Sequence, residues 1–238
     1  MSSAIPLHSL VDVIIYDLLY PFCFDVTTIY VCFVLLFGIK FLSGVIKLSI
    51  EPLLLSFPES FETSRLHIRA PLAGDGQMVH LALTESIEDL RPWMPWAQTL
   101  PTEEKSEVNV RQARLKFLER SDLRLHLFDK HSRQLIGCSG LHQIDWDARK
   151  FEIGYWVRPS FRGQGYITEA VAGITSFAIR ELQANRLVIR CDSRNTASSR
   201  VAERSGFILE GILRQDTRSI DGTLRDTMVY AKVRGIDF

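Results

Sequence analysis

The residues of this 238-residue chain that are best suited to chemistry form one stretch, Glu152 to Ala170. It contains two glycines separated by one residue, followed by a segment of helical spacing for which Thr168 is the predicted N-cap. Glycines let a ligand approach the backbone closely, and a helix N-terminus offers unpaired N–H groups and a favourable dipole. The stretch therefore predicts a phosphate-binding turn; the alternative is a strand-to-helix connection that binds nothing. The turn residues are Arg162, Gly163, Gln164, Gly165 and Tyr166.

The pattern of this turn differs from two common phosphate motifs. The Walker loop needs a Gly-Lys-Ser/Thr ending, and the dinucleotide fingerprint needs three spaced glycines and a later acid. The turn resembles instead the acyl-CoA pyrophosphate loop of the GNAT superfamily of N-acetyltransferases, with Arg162, Gly165 and Ile167 at the three defining positions. Ile167 departs from the small residue that the family prefers. The segment from Glu152 to Trp156 resembles the Rim-type branch, which acetylates protein N-termini and various small amines.

A second segment supports the same resemblance. Asn195 is a favourable N-cap and Gly206 a favourable C′ residue for a short helix. Capping alone explains this pattern, but it also resembles the GNAT segment Asn-x-x-Ser…Gly-Phe, which borders the arm and the thiol of coenzyme A. Many GNAT proteins carry a tyrosine later in this helix as the acid for the departing thiolate, and that position is Ala202 here. The resemblance therefore implies that Ser198 supplies the proton.

Acetyl transfer to an amine also requires a base and a polarised thioester carbonyl. Glu152 lies on the predicted strand where some GNAT enzymes place a base, and an ordinary surface carboxylate is the equally weighted alternative. A free main-chain N–H at or near Trp156 or Val157 is predicted to donate to the carbonyl. Arg162 and Arg158 are predicted to meet the phosphates. The acetyl-CoA site that the resemblance implies consists of Trp156, Val157, Arg158, Arg162, Gly163, Gln164, Gly165, Tyr166, Ile167, Thr168 and Asn195.

The segment from Arg91 to Trp96 concentrates two tryptophans and two prolines in six residues. One interpretation is an aromatic plug that covers an edge of the core. The other is that Trp93 and Trp96 form one wall of the acceptor pocket. The resemblance supports the second interpretation, because this segment usually lines the acceptor side in GNAT proteins.

The spacing of apolar residues elsewhere predicts alternating helices and strands. Predicted strands begin at Phe61 and cover Leu123 to Phe128, Leu135 to Leu141, Phe151 to Val157 and Arg186 to Cys191, with a hairpin at Asp221–Gly222. Predicted helices follow Asp75, cover Glu103 to Glu119, and follow Thr168 and Asn195. The fold class is α/β, with an α+β mixed sheet. The resemblance implies the GNAT fold: a central, mostly antiparallel sheet with two splayed parallel strands and flanking helices.

Composition gives few further indications of function. The formal charge is zero, which provides no argument for nucleic-acid binding. The cysteines show no C-x-x-C spacing and are interpreted as reduced thiols in a cytosolic core, so we expect a cytoplasmic protein. They are Cys23, Cys32, Cys138 and Cys191. His126, His131 and His142 have no metal-ligand spacing, so no metal is expected. For His142, an exposed loop is favoured over a position facing the acceptor.

Residues 1–52 differ from the rest by their hydrophobicity. The run at 26–46 contains one charged residue, Lys40, and is short for a membrane-spanning helix. An untranslated upstream extension of the gene model is the preferred interpretation. A membrane anchor ranks second, and a packed or peripheral hydrophobic element is the third alternative. The predicted GNAT domain is 53–238.

These features predict a cytoplasmic acetyl-CoA-dependent N-acetyltransferase of Rim type. Its predicted acceptor is a protein N-terminal α-amine of the ribosomal-protein type. A small-molecule amine such as a polyamine, an antibiotic or an amino-acid derivative is the alternative. A catalytically silent acyl-CoA-binding module and a purely structural interaction domain belong to other classes. The sequence leaves the choice between monomer and homodimer open.

Overall fold

A computed structural model describes residues 51–238. The proposed N-terminal extension and the hydrophobic run at 26–46 lie outside the described residues, so both stay predictions. None of the helices within 51–238 is long and apolar enough to cross a membrane.

One eight-stranded sheet organises the described residues, in the order β1-β2-β3-β4-β5-β6-β8-β7. Its strands are β1 (Ser60–Glu62), β2 (Leu66–Arg69), β3 (Leu123–Asp129), β4 (Leu135–Asp145), β5 (Lys150–Val157), β6 (Arg186–Asp192), β7 (Ile208–Arg218) and β8 (Leu224–Val233). The helices are α1 (Gly76–Leu90), α2 (Glu103–Leu118), α3 (Tyr166–Arg180) and α4 (Thr196–Arg204). The predicted mixed sheet is confirmed, and β3, β4 and β5 form an antiparallel meander within it.

The chain that follows Phe61 forms two strands rather than the single predicted one. A tight turn, in which Thr63 N–H donates to the Leu66 carbonyl at 2.9 Å, separates β1 from β2. The carboxylate of Glu169, from the first turn of α3, accepts hydrogen bonds from Thr63 Oγ1 at 2.6 Å and from Arg65 N–H at 2.7 Å. This distant side chain fixes the turn, and local sequence gives no sign of it.

The parallel pair of the sheet is formed by β5 and β6, and its strands diverge. They pair only at their first residues, from Lys150 opposite Arg186 to Glu152 opposite Val188. Beyond Glu152, β5 keeps its antiparallel partner β4 while β6 continues beside β8. The second half of β5 therefore presents an open edge, as the GNAT resemblance implied.

The two faces of the sheet carry different layers, because successive side chains of a strand point to opposite faces. Leu125 and Leu127 of β3 pack in the cluster that contains Ile174 of α3. The alternate residue Phe128 packs with α1 and α2. The open edge of β5 thus lies between a layer formed by α3 and a layer formed by α1 and α2.

Candidate active site

The predicted glycine turn is present and ends in a left-handed residue. Gly163 and Gly165 have φ of 71° and 80°, and Gly165 is the N-cap of α3. The helix therefore begins at Tyr166, and the prediction of Thr168 as N-cap is wrong, because the turn closes earlier through Gly165. The cap makes no side-chain hydrogen bond. The first N–H groups of α3 thus remain available for an anion.

Charged residues that sequence reasoning did not select hold this turn in place. The Arg65 guanidinium donates to the Glu169 carboxylate at 2.6 Å and to the Gln164 carbonyl at 2.9 Å. It also stacks over the Tyr166 ring, 4.2 Å from the centroid. Burial opposes ionisation of Glu169, but hydrogen bonds from Thr63 and Arg65 outweigh it and lower the pKa of the carboxyl. The turn is therefore anchored to the β1-β2 turn by an ionised carboxylate.

The turn and the start of α4 enclose a cavity of about 560 Å³, called here the glycine-loop cavity. Its lining includes most of the predicted cofactor residues, which are Trp156, Val157, Arg162, Gly163, Gly165, Tyr166, Ile167, Thr168 and Asn195. Ser198 and Trp93 line it as well. Three further arginines that the sequence analysis missed also line it: Arg194, Arg200 and Arg204. With four arginines in its lining, the cavity suits a polyanion.

Two predicted cofactor residues lie outside this lining. The Arg158 guanidinium forms an ion pair with Glu85 at 2.6 Å and donates to the Leu135 carbonyl. The Gln164 side chain donates to the Ser160 carbonyl at 3.0 Å. Both side chains thus bind protein groups away from the cavity. Arg162 also has a partner, Asp89 at 3.0 Å, but it lies on the cavity wall.

Ser198 lies at the end of the glycine-loop cavity beside the open edge of β5. Asn195 caps α4 as predicted, because its side chain accepts from Ser198 N–H at 3.1 Å. Ser198 Oγ lies 3.0 Å from Tyr155 Oη. Burial raises the pKa of Tyr155 to about 12, so the phenol keeps its proton near neutral pH. Ala202, which stands where the resemblance led us to look for a tyrosine, is fully buried. The structure thus pairs the predicted acid with a phenol from β5 that the sequence analysis had not singled out.

The register of β4 and β5 identifies which main-chain donors face the open edge. Arg158 N–H donates to the Ile136 carbonyl at 2.8 Å, and Cys138 lies opposite Trp156. Since N–H directions alternate along a strand, Trp156 N–H also points towards β4. The N–H groups of Tyr155 and Val157 point the other way. Of the two predicted donors, the geometry therefore keeps Val157 and replaces Trp156 with Tyr155.

A second cavity of about 560 Å³ lies between α1, α2 and the sheet, and is called here the sheet-face cavity. It shares Met94, Tyr155 and Trp156 with the glycine-loop cavity, so the two meet at β5. Trp96 lines the sheet-face cavity, with its ring 6.5 Å from that of Trp156. The predicted tryptophan wall is therefore divided, because Trp93 lies in the other cavity.

A histidine and a carboxylate form a pair in the sheet-face cavity. His142 Nδ1 lies 2.7 Å from Asp122 Oδ2. His142 is half-buried on β4, which continues to Asp145, so the expectation of an exposed loop histidine is wrong. A Cβ built on Gly154 would lie 3.0 Å from the His142 ring. The glycine thus makes room for the imidazole beside the open edge.

Glu152, the predicted base, lies opposite His142 in the register but outside both cavity linings. It is half-buried. Burial raises the pKa of its carboxyl, and Arg190 and His142 oppose that shift. Its role as the base stays a prediction.

A buried ionic network forms the floor of the sheet-face cavity. Asp75 occupies the predicted N-cap position of α1, but its carboxylate makes no cap hydrogen bond; it binds Arg69 at 2.7 Å and lies 3.0 Å from His126 Nδ1. Hydrogen bonds from Arg69 and His126 outweigh the effect of burial and lower the pKa of Asp75. Burial lowers the pKa of His126, so its ring is neutral. His126 therefore forms part of the floor of the cavity through its contact with Asp75.

The cysteines in the described part of the chain are free thiols on strands, as predicted. Cys138 lies on β4 and Cys191 on β6, and both are buried. Burial raises the pKa of Cys138 to about 12 and that of Cys191 above its usual range. No group of three His, Cys, Asp or Glu within 51–238 could hold a metal ion.

Known proteins share this sequence pattern and architecture. A family model described as an acetyltransferase (GNAT) domain matches residues 65–208. The ribosomal-protein-serine acetyltransferase of Escherichia coli is 31% identical over 144 residues, which are 60% of this chain and 79% of that protein. The uncharacterised N-acetyltransferase YoaA of Bacillus subtilis is 30% identical over 118 residues, or 50% of this chain and 66% of that protein.

Two solved structures show a similar fold. The ribosomal alpha-N-protein acetyltransferase RimL in complex with coenzyme A has a TM-score of 0.69 and 24% identity, over 74% of this chain and 98% of that one. The microcin self-immunity acetyltransferase MccE in complex with acetyl-CoA and AMP has a TM-score of 0.68 and 23% identity, over 74% and 97%. At these identities the structures support the fold alone. The family model covers more than half of the chain, and the chain is therefore a member of the GNAT acetyltransferase family, an acetyl-CoA-dependent N-acetyltransferase.

Proposed function

We propose that this enzyme transfers the acetyl group of acetyl-CoA to the N-terminal α-amine of a protein. One observation carries the proposal: two separate cavities meet at the open edge of β5, where Ser198 and Tyr155 are hydrogen-bonded. Acetyl-CoA would occupy the glycine-loop cavity, and the amine would enter from the sheet-face cavity. The names of relatives such as the Escherichia coli ribosomal-protein-serine acetyltransferase support an acceptor of the ribosomal-protein type.

The glycine-loop cavity fits the phosphates of acetyl-CoA. The free N–H groups at the start of α3 bind the pyrophosphate. Arg162, Arg200 and Arg204 add charged donors along the same wall. The space beside Gly163 is free for a phosphate, because a Cβ built there would meet no atom within 4 Å. Glycine is favoured at this position by its φ of 71°.

The open edge of β5 positions the thioester for attack. The N–H groups of Val157 and Tyr155 donate to the thioester carbonyl and stabilise the charge that develops on its oxygen. Ser198 Oγ then gives its proton to the departing sulfur and recovers one from Tyr155 Oη, 3.0 Å away, and solvent returns a proton to the phenolate. The pKa of Tyr155, raised by burial to about 12, means that the phenol is protonated at neutral pH when the step begins.

The amine must lose a proton before or during attack. We assign His142 to this step, because its ring lines the sheet-face cavity and Asp122 holds its Nδ1 at 2.7 Å. With Nδ1 bound to the carboxylate, Nε2 is the nitrogen that accepts the proton. Glu152, the base predicted from sequence, lies opposite His142 on the neighbouring strand but outside the cavity lining.

A small-molecule amine is the second candidate acceptor. The sheet-face cavity, at about 560 Å³, falls within the range of roughly 300–1,000 Å³ that is common for small ligands. A peptide N-terminus would use the same space with its first residues only.

The test is release of free coenzyme A by the purified full-length chain, with one panel of peptides bearing free N-termini and one of small amines. Turnover with peptides supports the proposal, and turnover only with small amines replaces the acceptor class. Binding of acetyl-CoA without any turnover would indicate a silent module.

The Ser198→Ala variant should lower kcat by about a hundredfold with either class of acceptor. Ser199→Ala is the matched control, because Ser199 Oγ donates to the Thr196 carbonyl within the helix and does not line the cavity. Equal losses in both variants would contradict the role of Ser198.

A further inference from the structure

The charged side chains that line the sheet-face cavity are all basic. They are Lys105 and Arg124, and the neutral His126 and the proposed base His142 line the cavity beside them. Within the described part of the chain, no aspartate or glutamate belongs to this lining. Asp75 and Asp122 lie behind the two histidines and are already bound to them. The cavity therefore presents a positive surface to whatever enters it.

Arg124 is the central group of this surface. It is half-buried on β3, and Asn109 Oδ1, at 2.5 Å, is the partner its guanidinium has within residues 51–238. The comparable half-buried arginines Arg69 and Arg158 each have a carboxylate, Asp75 and Glu85 respectively. An arginine has five N–H donors, so most of those on Arg124 stay available. A half-buried guanidinium whose partner is neutral favours an anion in the adjoining space.

The sheet register places this cation relative to the reaction centre. Arg124 lies opposite Gly140, and Gly140 lies opposite Gly154 of β5. Two strand spacings give about 10 Å between the backbones of Arg124 and Gly154. Because Gly140 and Gly154 have no side chains, the His142 ring is the side-chain neighbour found at these two positions, between Arg124 and β5.

We infer that the acceptor is an anionic amine, whose amino group lies at β5 beside His142 while a carboxylate or phosphate close to it binds Arg124. This inference rests on the proposed function, which places the acceptor in the sheet-face cavity. An extended peptide spans at most about 3.5 Å per residue, so a span of about 10 Å places the anion within its first three residues. A polyamine is disfavoured, because its second ammonium would meet Arg124 and Lys105.

The same chemistry has two sources, an acidic peptide N-terminus and a small amino acid that carries its own carboxylate or phosphate. The acceptor panel separates them. It contains three peptides that differ only at the second residue, as Asp, Asn or Lys, together with free aspartate, phosphoserine and spermidine.

The full-length chain should prefer the Asp peptide over the Asn peptide by about tenfold to a hundredfold in kcat/KM, the value of a charged hydrogen bond. Arg124→Gln should abolish this preference, and Arg124→Glu should invert it towards the Lys peptide, while the KM for acetyl-CoA stays unchanged. Arg180→Gln is the control, because Arg180 is an exposed cation at the end of α3 outside both linings. Activity with free aspartate or phosphoserine but not with the Asp peptide would assign the small-molecule source.

Three outcomes overturn the inference: equal kcat/KM for the Asp and Asn peptides, a preference for spermidine or the Lys peptide, or a preference for Asp that persists in Arg124→Gln. Transfer to neutral acceptors alone would leave the proposed function intact and refute only this step. If no acceptor is turned over, calorimetric binding of the Asp and Asn peptides to the coenzyme A complex decides the question, and equal affinities refute the inference.

Discussion

The glycine-loop cavity and the sheet-face cavity enclose about the same volume, but their walls differ in kind. The first takes most of its lining from two segments, 161–168 and 194–204, and its anion donors combine the main-chain N–H groups at the start of α3 with arginine side chains. The second takes its lining from side chains of α1, α2, β3, β4 and β5 and from the segment between the two helices. The cavity proposed for the common cosubstrate thus depends in part on backbone geometry, whereas the one proposed for the acceptor depends on individual side chains.

This difference indicates that the choice of acceptor amine can change while the transfer of the acetyl group is retained. Substitutions in the sheet-face cavity alter which amine fits, while the backbone donors of β5 and α3 remain. The following experiments test that division, starting with the largest expected effect.

The strongest test replaces Gly165, whose φ of 80° a β-branched residue adopts only with strain. Gly165→Val should weaken acetyl-CoA binding at least about a hundredfold, because displaced N–H donors lose several charged hydrogen bonds. Isothermal calorimetry measures the Kd. Gly222→Val is the matched control: Gly222 has φ of 84° in the β7-β8 hairpin, and a Cβ there would meet no atom within 4 Å. Equal Kd values for the two variants would refute a main-chain phosphate site.

A test of the sheet-face cavity removes the proposed base. His142→Ala should lower kcat by about a hundredfold, and added imidazole should restore part of the activity, because the cavity left behind can admit a free ring. Asp122→Asn, which leaves the imidazole without its orienting carboxylate, should lower kcat by a smaller factor. His131→Ala is the control on an exposed turn. A larger loss in Glu152→Gln, with no rescue of His142→Ala, would return the role of base to Glu152.

The two tryptophans provide a crossed comparison between the cavities. Trp93→Ala should raise the KM for acetyl-CoA, and Trp96→Ala should raise the KM for the acceptor, each by about threefold to tenfold for the loss of one aromatic contact. Each change should leave the other KM within twofold, a margin of about 0.4 kcal/mol. Steady-state kinetics with both substrates varied gives all four values. A shift in both constants for both variants would show that the division between the cavities does not hold.

The smallest expected effect concerns pH and the floor of the sheet-face cavity. Burial lowers the pKa of His126 in the folded protein, whereas an unfolded histidine titrates near about 6.5. Below that pH the unfolded chain binds a proton that the folded chain does not, so the free energy of unfolding decreases by up to about 1.4 kcal/mol per pH unit. The groups that face His126 are Asp75, Arg69 and Arg124.

Protonation of Asp75 also decreases the free energy of unfolding, but at lower pH. Its folded pKa is lowered, so its contribution is present above about 3.9, the unfolded value, and is lost as the pH falls further. Thermal unfolding between pH 8 and pH 5 should show a falling Tm in the wild type. The Tm of His126→Gln should be lower at pH 8 but should vary less with pH. An equal pH dependence in both proteins would contradict a neutral buried His126.

Local signals allowed the sequence to predict the glycine turn and the start of α4. The glycines, the capping Asn195 and the C′ residue Gly206, whose φ is 74°, each report on their own neighbourhood. The error at Thr168 has the same local origin, because a threonine near a helix start usually caps it, whereas the left-handed Gly165 had already ended the turn.

The sheet-face cavity could not be predicted in the same way, since its partners are distant in sequence. Asp122 and His142 are separated by 20 residues, and only the β3-β4 register brings them together. Arg124 looked like an ordinary polar residue of an alternating strand. Glu169 looked like a favourable charge in a first helical turn, yet it binds Thr63 and Arg65, more than 100 residues earlier. Sequence periodicity reports which face a residue occupies, but not what lies opposite.

The wall that the two cavities share has a consequence for inhibition. Because Met94, Tyr155 and Trp156 border both, a single bisubstrate compound that joins coenzyme A to an amine through a short linker can fill both without crossing solvent. Linkage makes the second contact intramolecular, at an effective concentration of about millimolar for a short linker. The coenzyme half of such a compound would bind partly through main-chain N–H groups at the start of α3, which do not depend on side-chain identity. Its selectivity for this enzyme would therefore come from the half that meets Arg124 and His142.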